Sequence, residues 1–398
     1  VNSVELFAGA GGLALGVSQA GFRHEAVIEL DYHACETIRA NQALKLRHVK
    51  DWKLLETDVK SFDFAAIGED IDLLAAGVPC QPWSIGGKHR GYDDERNLFP
   101  DTIRAVLALK PKAILIENVK GLTRQAFADY YTYVQFMLEF PEVSRHEGED
   151  WFEHRTRLEK YVTSRSKGYA GLRYNVVPKL VNAAHYGVPQ KRERIFLVGF
   201  RADLGIKWSF PEETHSEEAL LTSQWITGEY WDTHKIPVKQ RPPRPPDLER
   251  RVGNEELFGH RPWVTVRDAL KDLPDALSGN AREIPNHVFQ PGARSYIGHT
   301  GSRLDEPAKT LKAGDHGVPG GENMIVFPDG SVRYFTVREA SLIQTFPRDF
   351  VFTSSWSENM RQIGNAVPVE LARMIATSVA ETVLASKGGV RWDATGKT

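Results

Sequence analysis

VELFAGAGGLALG, from Val4 to Gly16, is the stretch on which the reading of the fold turns. An apolar run ends in a glycine-rich turn that leads into a helix-like segment. Gly9, Gly11 and Ala14 satisfy the loose G-x-G-x-x-G/A template, and Glu29 falls about 20 residues past the turn, where an acidic ribose ligand is expected. The match suits a nicotinamide enzyme and equally the same turn built for another cofactor. Those residues alone do not decide between them.

Downstream, to about residue 120, apolar runs alternate with helix-like stretches: HEAVIEL, a helix from Tyr32, IDLLAAG, a helix from Leu98, and AILIEN. Runs buried on both faces and separated by helices predict a parallel sheet with helices on either side. In such sheets ligands bind beyond the carboxyl ends of the strands. The informative positions are therefore Gly9, Glu29, Pro79 to Ser84, and Glu117 to Val119. VVPKLVNAAHYGVPQKRERIFLVGF reads as strand, turn, strand and closes this part near Phe200. Residues of about 124 to 172 read as a helical surface excursion. HKIPVKQRPPRPPDLERR is too rich in proline for a helix or buried strand, so a second, less regular domain is expected from about residue 201. Near the end, VREASLIQTF reads as helical and RQIGNAVPVELARMIATSVAETVLAS as a long final helix. Asn365 is expected to cap it, with Pro368 in its first turn.

A chain of 398 residues exceeds the roughly 250 to 300 at which single cores stop growing, which favours two domains. Fifty Lys and Arg balance 52 Asp and Glu, so any nucleic-acid surface has to be a local patch. The two cysteines, Cys35 and Cys80, form no C-x-x-C, and a zinc site is not expected. No charged segment followed by an apolar stretch opens the sequence and no run approaches ~20 apolar residues, so a cytoplasmic protein is expected.

Cys80, in GVPCQPWS, follows a buried run on a loop stiffened by Pro79 and Pro82. A cysteine fixed in a cleft near cations is thiolate-like and nucleophilic, whereas Cys35, within DYHACETIRA, reads as structural. Glu117 and Asn118 end AILIEN at the same sheet edge, where the Glu117 carboxyl group, in a dry pocket, can hold or share a proton with a substrate ring nitrogen. Gln190, Arg192 and Arg194 lie two apart and would share one face of a strand, offering bidentate contacts to phosphate or a carbonyl oxygen. SIGGKHRGYDDERN, from Ser84 to Asn97, suits a mobile lid, with Lys88 and Arg90 as contacts for a polyanion.

Taken in order, FAGAGG, PCQPWS, ENV, QKRER and RQIGNAVP resemble the signature series of the DNA cytosine carbon-5 methyltransferases of bacterial restriction-modification systems. The resemblance covers most of residues 4 to 200 and 300 to 380. It implies an α/β fold: a Rossmann-like S-adenosylmethionine-binding sheet domain over 1–200, to which 353–398 returns, and a smaller target-recognition domain and hinge over 201–352. It makes Cys80 the nucleophile toward carbon 6 of a flipped-out cytosine and Glu117 the acid at the ring nitrogen. Arg194, supported by Arg192, would bind the base or a nearby phosphate, with Gln190 steadying them. For S-adenosylmethionine it implies Phe7 against adenine, the backbone of Ala8, Gly9, Gly11 and Gly12 along the methionine portion, and Glu29 with Leu30 at the ribose. Asp58 and Val59 flank adenine, and Pro79, Leu98, Asn365 and Val367 complete the pocket. Ser84, Lys88, Arg90, Arg96 and Thr310 would meet double-stranded DNA. No metal is called for, and the resemblance further implies a monomer that shares its site with a cognate restriction endonuclease. A nicotinamide dehydrogenase is the rival class, but it leaves PCQPWS and ENV without a task.

Overall fold

The computed structural model describes residues 1–68, 70–79, 97–164, 169–252, 259–297, 300–314 and 323–388. Its framework begins with β1 (Asn2–Leu6), α1 (Gly12–Gln19), β2 (Arg23–Glu29), α2 (Tyr32–Ala43), β3 (Leu54–Glu56), β4 (Leu73–Gly77), α3 (Phe99–Leu109) and β5 (Ala113–Val119). There follow α4 (Ala128–Glu139), α5 (Trp151–Thr163), β6 (Tyr174–Asn182) and β7 (Glu193–Arg201). The seven strands form one sheet in the order β3-β2-β1-β4-β5-β7-β6.

Strands β1 to β5 pair in parallel, as their uninterrupted apolar runs predict, but β7 runs antiparallel to β5 and pairs antiparallel with β6. The sheet is therefore mixed. The short turn between β6 and β7 has no room for the crossover that parallel pairing needs, so a hairpin is the only connection available. Strand order reverses between β1 and β4, and at such a switch point the carboxyl ends open a crevice.

The second half supplies β8 (His215–Ser216), α6 (Glu217–Trp225), α7 (Glu229–Thr233), α8 (Leu248–Val252), β9 (Arg261–Pro262) and α9 (Val266–Leu270). Then come β10 (Ser302–Arg303), β11 (Met324–Val326), β12 (Val332–Tyr334), α10 (Val337–Ile343), α11 (Trp356–Asn365) and α12 (Val369–Ser386). Strands β10, β11 and β12 make a small sheet of their own, and Tyr230, Trp231 and Trp263 centre a small separate core.

One face of the main sheet buries Val4, Leu6, Ile114 and Ile116 with α3 and α4; the other buries Leu73, Ala75, Leu115 and Val198 beneath α1 and α12. A third cluster joins Ala10, Ala14 and Leu15, at the glycine-rich turn, to Leu311, Ile325, Ala340, Ile343 and Ile363. The chain from α10 onward thus packs directly on the turn that opened the sequence.

Two expectations change. The 124–172 segment is not a surface excursion throughout: Tyr133, Val134 and Leu138 of α4 are completely buried in the sheet core. Only α5, started by a capping box of Asp150 and Glu153, is largely peripheral. Asn365 does not cap the last helix, because it is the final residue of α11; Pro368 occupies the N-cap of α12, which has no side-chain cap. Among the described residues no helix is long and apolar enough to cross a membrane.

Candidate active site

The turn after β1 is held in left-handed backbone by Phe7 (φ 56°), Gly9 (φ 55°) and Gly11 (φ 89°). Each glycine has a different reason. A Cβ on Gly9 would meet nothing within 4 Å among the described residues, so Gly9 keeps the turn's shape and the space above it; a Cβ on Gly11 would come within 2.8 Å of the Trp52 ring. Gly11 therefore faces the packed side and does not line the cavity, contrary to expectation. A Cβ on Gly12 would stand 2.4 Å from the Val367 carbonyl, so the start of α1 fits flush against the residues before α12.

Glu29 ends β2 with its carboxylate fixed by backbone. Its Oε2 accepts from Gly9 N at 2.6 Å, and its Oε1 accepts from Leu30 N at 2.8 Å and Asp31 N at 2.7 Å. A carboxylate held by three peptide donors is pre-oriented, and its remaining lone pairs can accept from hydroxyl groups. Phe7, Ala8, Gly9, Gly12, Glu29, Leu30, Asp58, Val59, Pro79, Leu98, Asn365 and Val367 all line one cavity of about 690 Å³. Every expected cofactor residue except Gly11 is among them.

The far end of the same cavity is lined by Glu117, Asn118 and Arg194. Glu117 and Arg194 come from neighbouring antiparallel strands, and Arg194 Nε lies 2.9 Å from Glu117 Oε1. Both are nearly buried, Glu117 at 7% exposure. Burial raises the Glu117 carboxyl above its ordinary range, and the charges of Arg194 and Arg192 oppose that rise. Asn118 does not reach into the cavity freely: its Nδ2 donates to Val78 O at 3.1 Å and its Oδ1 accepts from Val119 N at 2.8 Å, fixing the backbone beside Pro79. Cys80 follows Pro79 directly but lies, with Ser84, Lys88, Arg90 and Arg96, outside the described residues.

The shared face expected for Gln190, Arg192 and Arg194 does not form. Strand β7 begins only at Glu193, and of the three only Arg194 reaches the cavity. Arg192 is fully buried, and its guanidinium donates to the carbonyl oxygens of Leu311 (2.9 Å), Gly364 (2.7 Å) and Ala366 (3.0 Å). Gln190 is buried too, donating to Gln344 Oε1 at 3.0 Å and accepting from Leu311 N at 2.9 Å. Thr310 Oγ1 donates to Lys191 O at 2.8 Å and so braces the same turn. Cys35 fits its structural reading: it is buried, and desolvation with nearby Glu29 pushes its thiol up to about 12.

The sequence reading missed Asp31, Tyr32, Thr57, Arg361 and Gln362, which line the cavity. Arg361 bridges Asp31 and Glu358, each at about 2.8 Å, and ties α11 to the start of α2. One signal was available: Arg361 sits one helical turn before Asn365, on the same face.

A glycine-rich turn and an anchored acid at one end of a cavity, with a buried Glu–Arg pair at the other, are the architecture of an adenosine-cofactor transferase acting on a polar ring. The profile of the C-5 cytosine-specific DNA methylase family matches residues 1–141 and 155–381, and the chain belongs to that family. It is a DNA cytosine-5 methyltransferase. The Type II methyltransferase M.PspPI of Psychrobacter sp. is 33% identical over 94% of this chain and 78% of its own length. M.NgoPII of Neisseria gonorrhoeae, also a Type II methyltransferase, is 31% identical over 96% and 95%. The S. pombe Dnmt2 methyltransferase shares the fold, with a TM-score of 0.53 at 17% identity over 97% of this chain and 98% of that one. Residues 142–154, the approach to α5 and its first turn, fall outside the family match.

Proposed function

We propose that the chain methylates carbon 5 of a cytosine flipped out of a specific duplex DNA sequence, using S-adenosylmethionine, as the modification partner of a restriction endonuclease. The observation that carries this reading is the single cavity joining the Glu29 cradle to the Glu117–Arg194 pair.

The residues present fit the cofactor. Glu29 offers a fixed acceptor for ribose hydroxyls, Val59, Leu98 and Phe7 an apolar wall for adenine, and the start of α1 free backbone donors for a carboxylate. The absence of a Cβ at Gly9 leaves room for the methionine portion. When bound, S-adenosylmethionine supplies an electrophilic methyl group on its sulfonium sulfur.

Family enzymes act on a base that duplex stacking hides, so the cytosine has to swing into the cavity. Cys80, next to Pro79 at the cavity wall, forms a bond from its thiolate sulfur to carbon 6. The ring electrons displaced by that bond make carbon 5 nucleophilic, and Glu117 holds a proton at the ring nitrogen to stabilise the charge. Once carbon 5 carries the methyl group, loss of its proton to a base returns an electron pair to the ring, and Cys80 leaves as thiolate. Arg194 keeps Glu117 oriented and presents its remaining guanidinium edge to the base. Residues 1–200 with the returning C-terminal part form the catalytic body, and the intervening segment reads the DNA. The chain acts as a monomer.

Incubating the purified chain with tritiated S-adenosylmethionine and mixed-sequence duplex DNA should place label in cytosine carbon 5. Cys80→Ala should abolish transfer and the covalent adduct with 5-fluorocytosine DNA while S-adenosylhomocysteine still binds. Normal turnover in that variant refutes the nucleophile, and no labelled DNA from the unaltered chain refutes the activity.

A further inference from the structure

We infer that Gln344 is a positioning residue that links residues 308–313, part of the segment proposed above to read the DNA, to the cofactor wall, so that DNA and cofactor binding are coupled through one buried hydrogen-bond node. The inference rests on the cofactor reading above.

Gln344 is completely buried, at the C-cap of α10, and all of its polar atoms are engaged. Its Nε2 donates to Ile363 O at 2.6 Å and Ala366 O at 3.2 Å, and its Oε1 accepts from Gln190 Nε2 at 3.0 Å. Its own carbonyl accepts from Val369 N at 3.0 Å, in the first turn of α12. Gln344 therefore holds both flanks of Gly364–Val367, the stretch that lines the cavity, with its carboxamide on Ile363 and its backbone carbonyl on Val369. Arg192 holds the same stretch from the other direction, through Gly364 O and Ala366 O.

The opposite arm of the node leaves the cofactor side. Gln190 Oε1 accepts from Leu311 N, Arg192 donates to Leu311 O, and Lys191 N donates to Ala308 O at 2.8 Å. Lys312 is clamped in turn by Asn323, which leads into β11 of the small sheet. Gly364 abuts this segment so closely that a Cβ there would lie 2.3 Å from Ala313 N. Arg194 is two residues past Arg192 on the same chain. A displacement of 308–313 on DNA binding would be transmitted to Gly364–Val367 through this buried chain of hydrogen-bonded groups. Because the coupling is a free energy, it is reciprocal: cofactor tightens DNA by the factor with which DNA tightens cofactor.

The test measures the dissociation constant of S-adenosylhomocysteine by calorimetry, with and without unmethylated plasmid DNA, for the full chain and for Gln344→Met. Methionine keeps the volume but removes both donors and the acceptor. In the unaltered chain the plasmid should tighten S-adenosylhomocysteine severalfold, as typical couplings do. In Gln344→Met the affinity without DNA should fall about tenfold and the plasmid should no longer change it. A variant that unfolds cooperatively like the parent yet keeps the parent's ratio overturns the inference, as does a parent whose affinity ignores the plasmid. Should Gln344→Met not fold, Arg192→Lys, which keeps the charge but loses the fork on Leu311, Gly364 and Ala366, should lower the ratio, and an unchanged ratio there overturns it. If the unaltered chain binds no S-adenosylhomocysteine at all, the cofactor reading itself has failed.

Discussion

Arg194 and Glu117 face each other diagonally across β7 and β5, with Arg194 Nε 2.9 Å from Glu117 Oε1 and both side chains largely buried. Two opposing influences meet at that carboxyl group. Burial favours its neutral form and the guanidinium favours its charged form, and burial is the larger. The site thereby keeps an acid available at pH values where an exposed glutamate has lost its proton.

This orders the pH profile. Activity that needs protonated Glu117 is lost as pH rises through its folded pKa, so the corresponding limb of kcat/KM should lie above the ordinary value of 4.5. Replacing Arg194 by Ala removes a charge that lowers that pKa, so the limb should move to higher pH while kcat falls. Glu117→Gln should erase the limb and cost about 10²- to 10⁴-fold in rate, the usual range for a positioned proton donor. A limb that stays in place in Arg194→Ala contradicts this account of the pair.

Glu29 offers a separate handle on the cofactor. Its carboxylate accepts from Gly9, Leu30 and Asp31 N–H, and Glu29→Ala both removes the proposed ribose acceptor and frees the turn. Hydrogen bonds to a charged group contribute about 1.5–3 kcal/mol each, so S-adenosylhomocysteine affinity should drop roughly 10- to 100-fold. Binding of DNA in the absence of cofactor should stay near the parent value, and a gel-shift titration that shows otherwise would mean Glu29 supports more than the cofactor end.

Gly16 tests the packing that carries the turn. Alanine is favoured over glycine inside a helix by about 1 kcal/mol. Here, however, a Cβ would sit 2.4 Å from Ala372 Cβ, 2.6 Å from Arg373 N and 2.7 Å from Val369 O, so α1 and α12 cannot both stay in place. Overpacking of this kind costs about 1–3 kcal/mol, and because two of the obstructing atoms are backbone the clash should win. Gly16→Ala should lower the urea midpoint; a midpoint raised by the variant would show that the helices separate without penalty.

Much of this arrangement was legible in the sequence because the central parallel strands are short, mostly apolar runs buried on both faces. VELF, IDLLAAG and AILIEN could be little else, and the residues after them fell at the cavity. Strand β3, three residues at the sheet edge, carried too little pattern to be seen. The two-residue spacing of Gln190, Arg192 and Arg194 misled because spacing gives a shared face only inside a strand, and the chain is still turning at Arg192. Asn365 looked like a helix start because Pro368 follows it closely, but the proline ends the preceding segment as readily as it opens the next. The role of Gln344 depends on carbonyl groups 19 and 22 residues away, and no local pattern records those.

Glu5 makes the last prediction, and its sign follows from its surroundings. It is fully buried in β1, and neither carboxyl oxygen has a hydrogen-bond partner among the described residues. Desolvation raises its pKa well above 4.5, so the folded chain holds a proton that the unfolded chain releases. Stability is therefore greatest below about pH 4.5 as far as Glu5 is concerned, and it falls as pH rises from there to the folded pKa, by about 1.4 kcal/mol per pH unit. His24, two strand positions from Glu5 across the pairing of β1 with β2, acts in the opposite sense: burial lowers it to about 4, so its contribution is lost as pH falls below 6.5. Glu5→Gln keeps the size of the side chain and cannot ionise, and His24 is common to both proteins. The difference in unfolding free energy between Glu5→Gln and the parent should consequently favour the variant increasingly as pH rises above about 4.5 toward the folded pKa of Glu5, when measured by urea unfolding at fixed ionic strength. Parallel stability curves across that range would show that Glu5 ionises as freely in the folded chain as in the unfolded one.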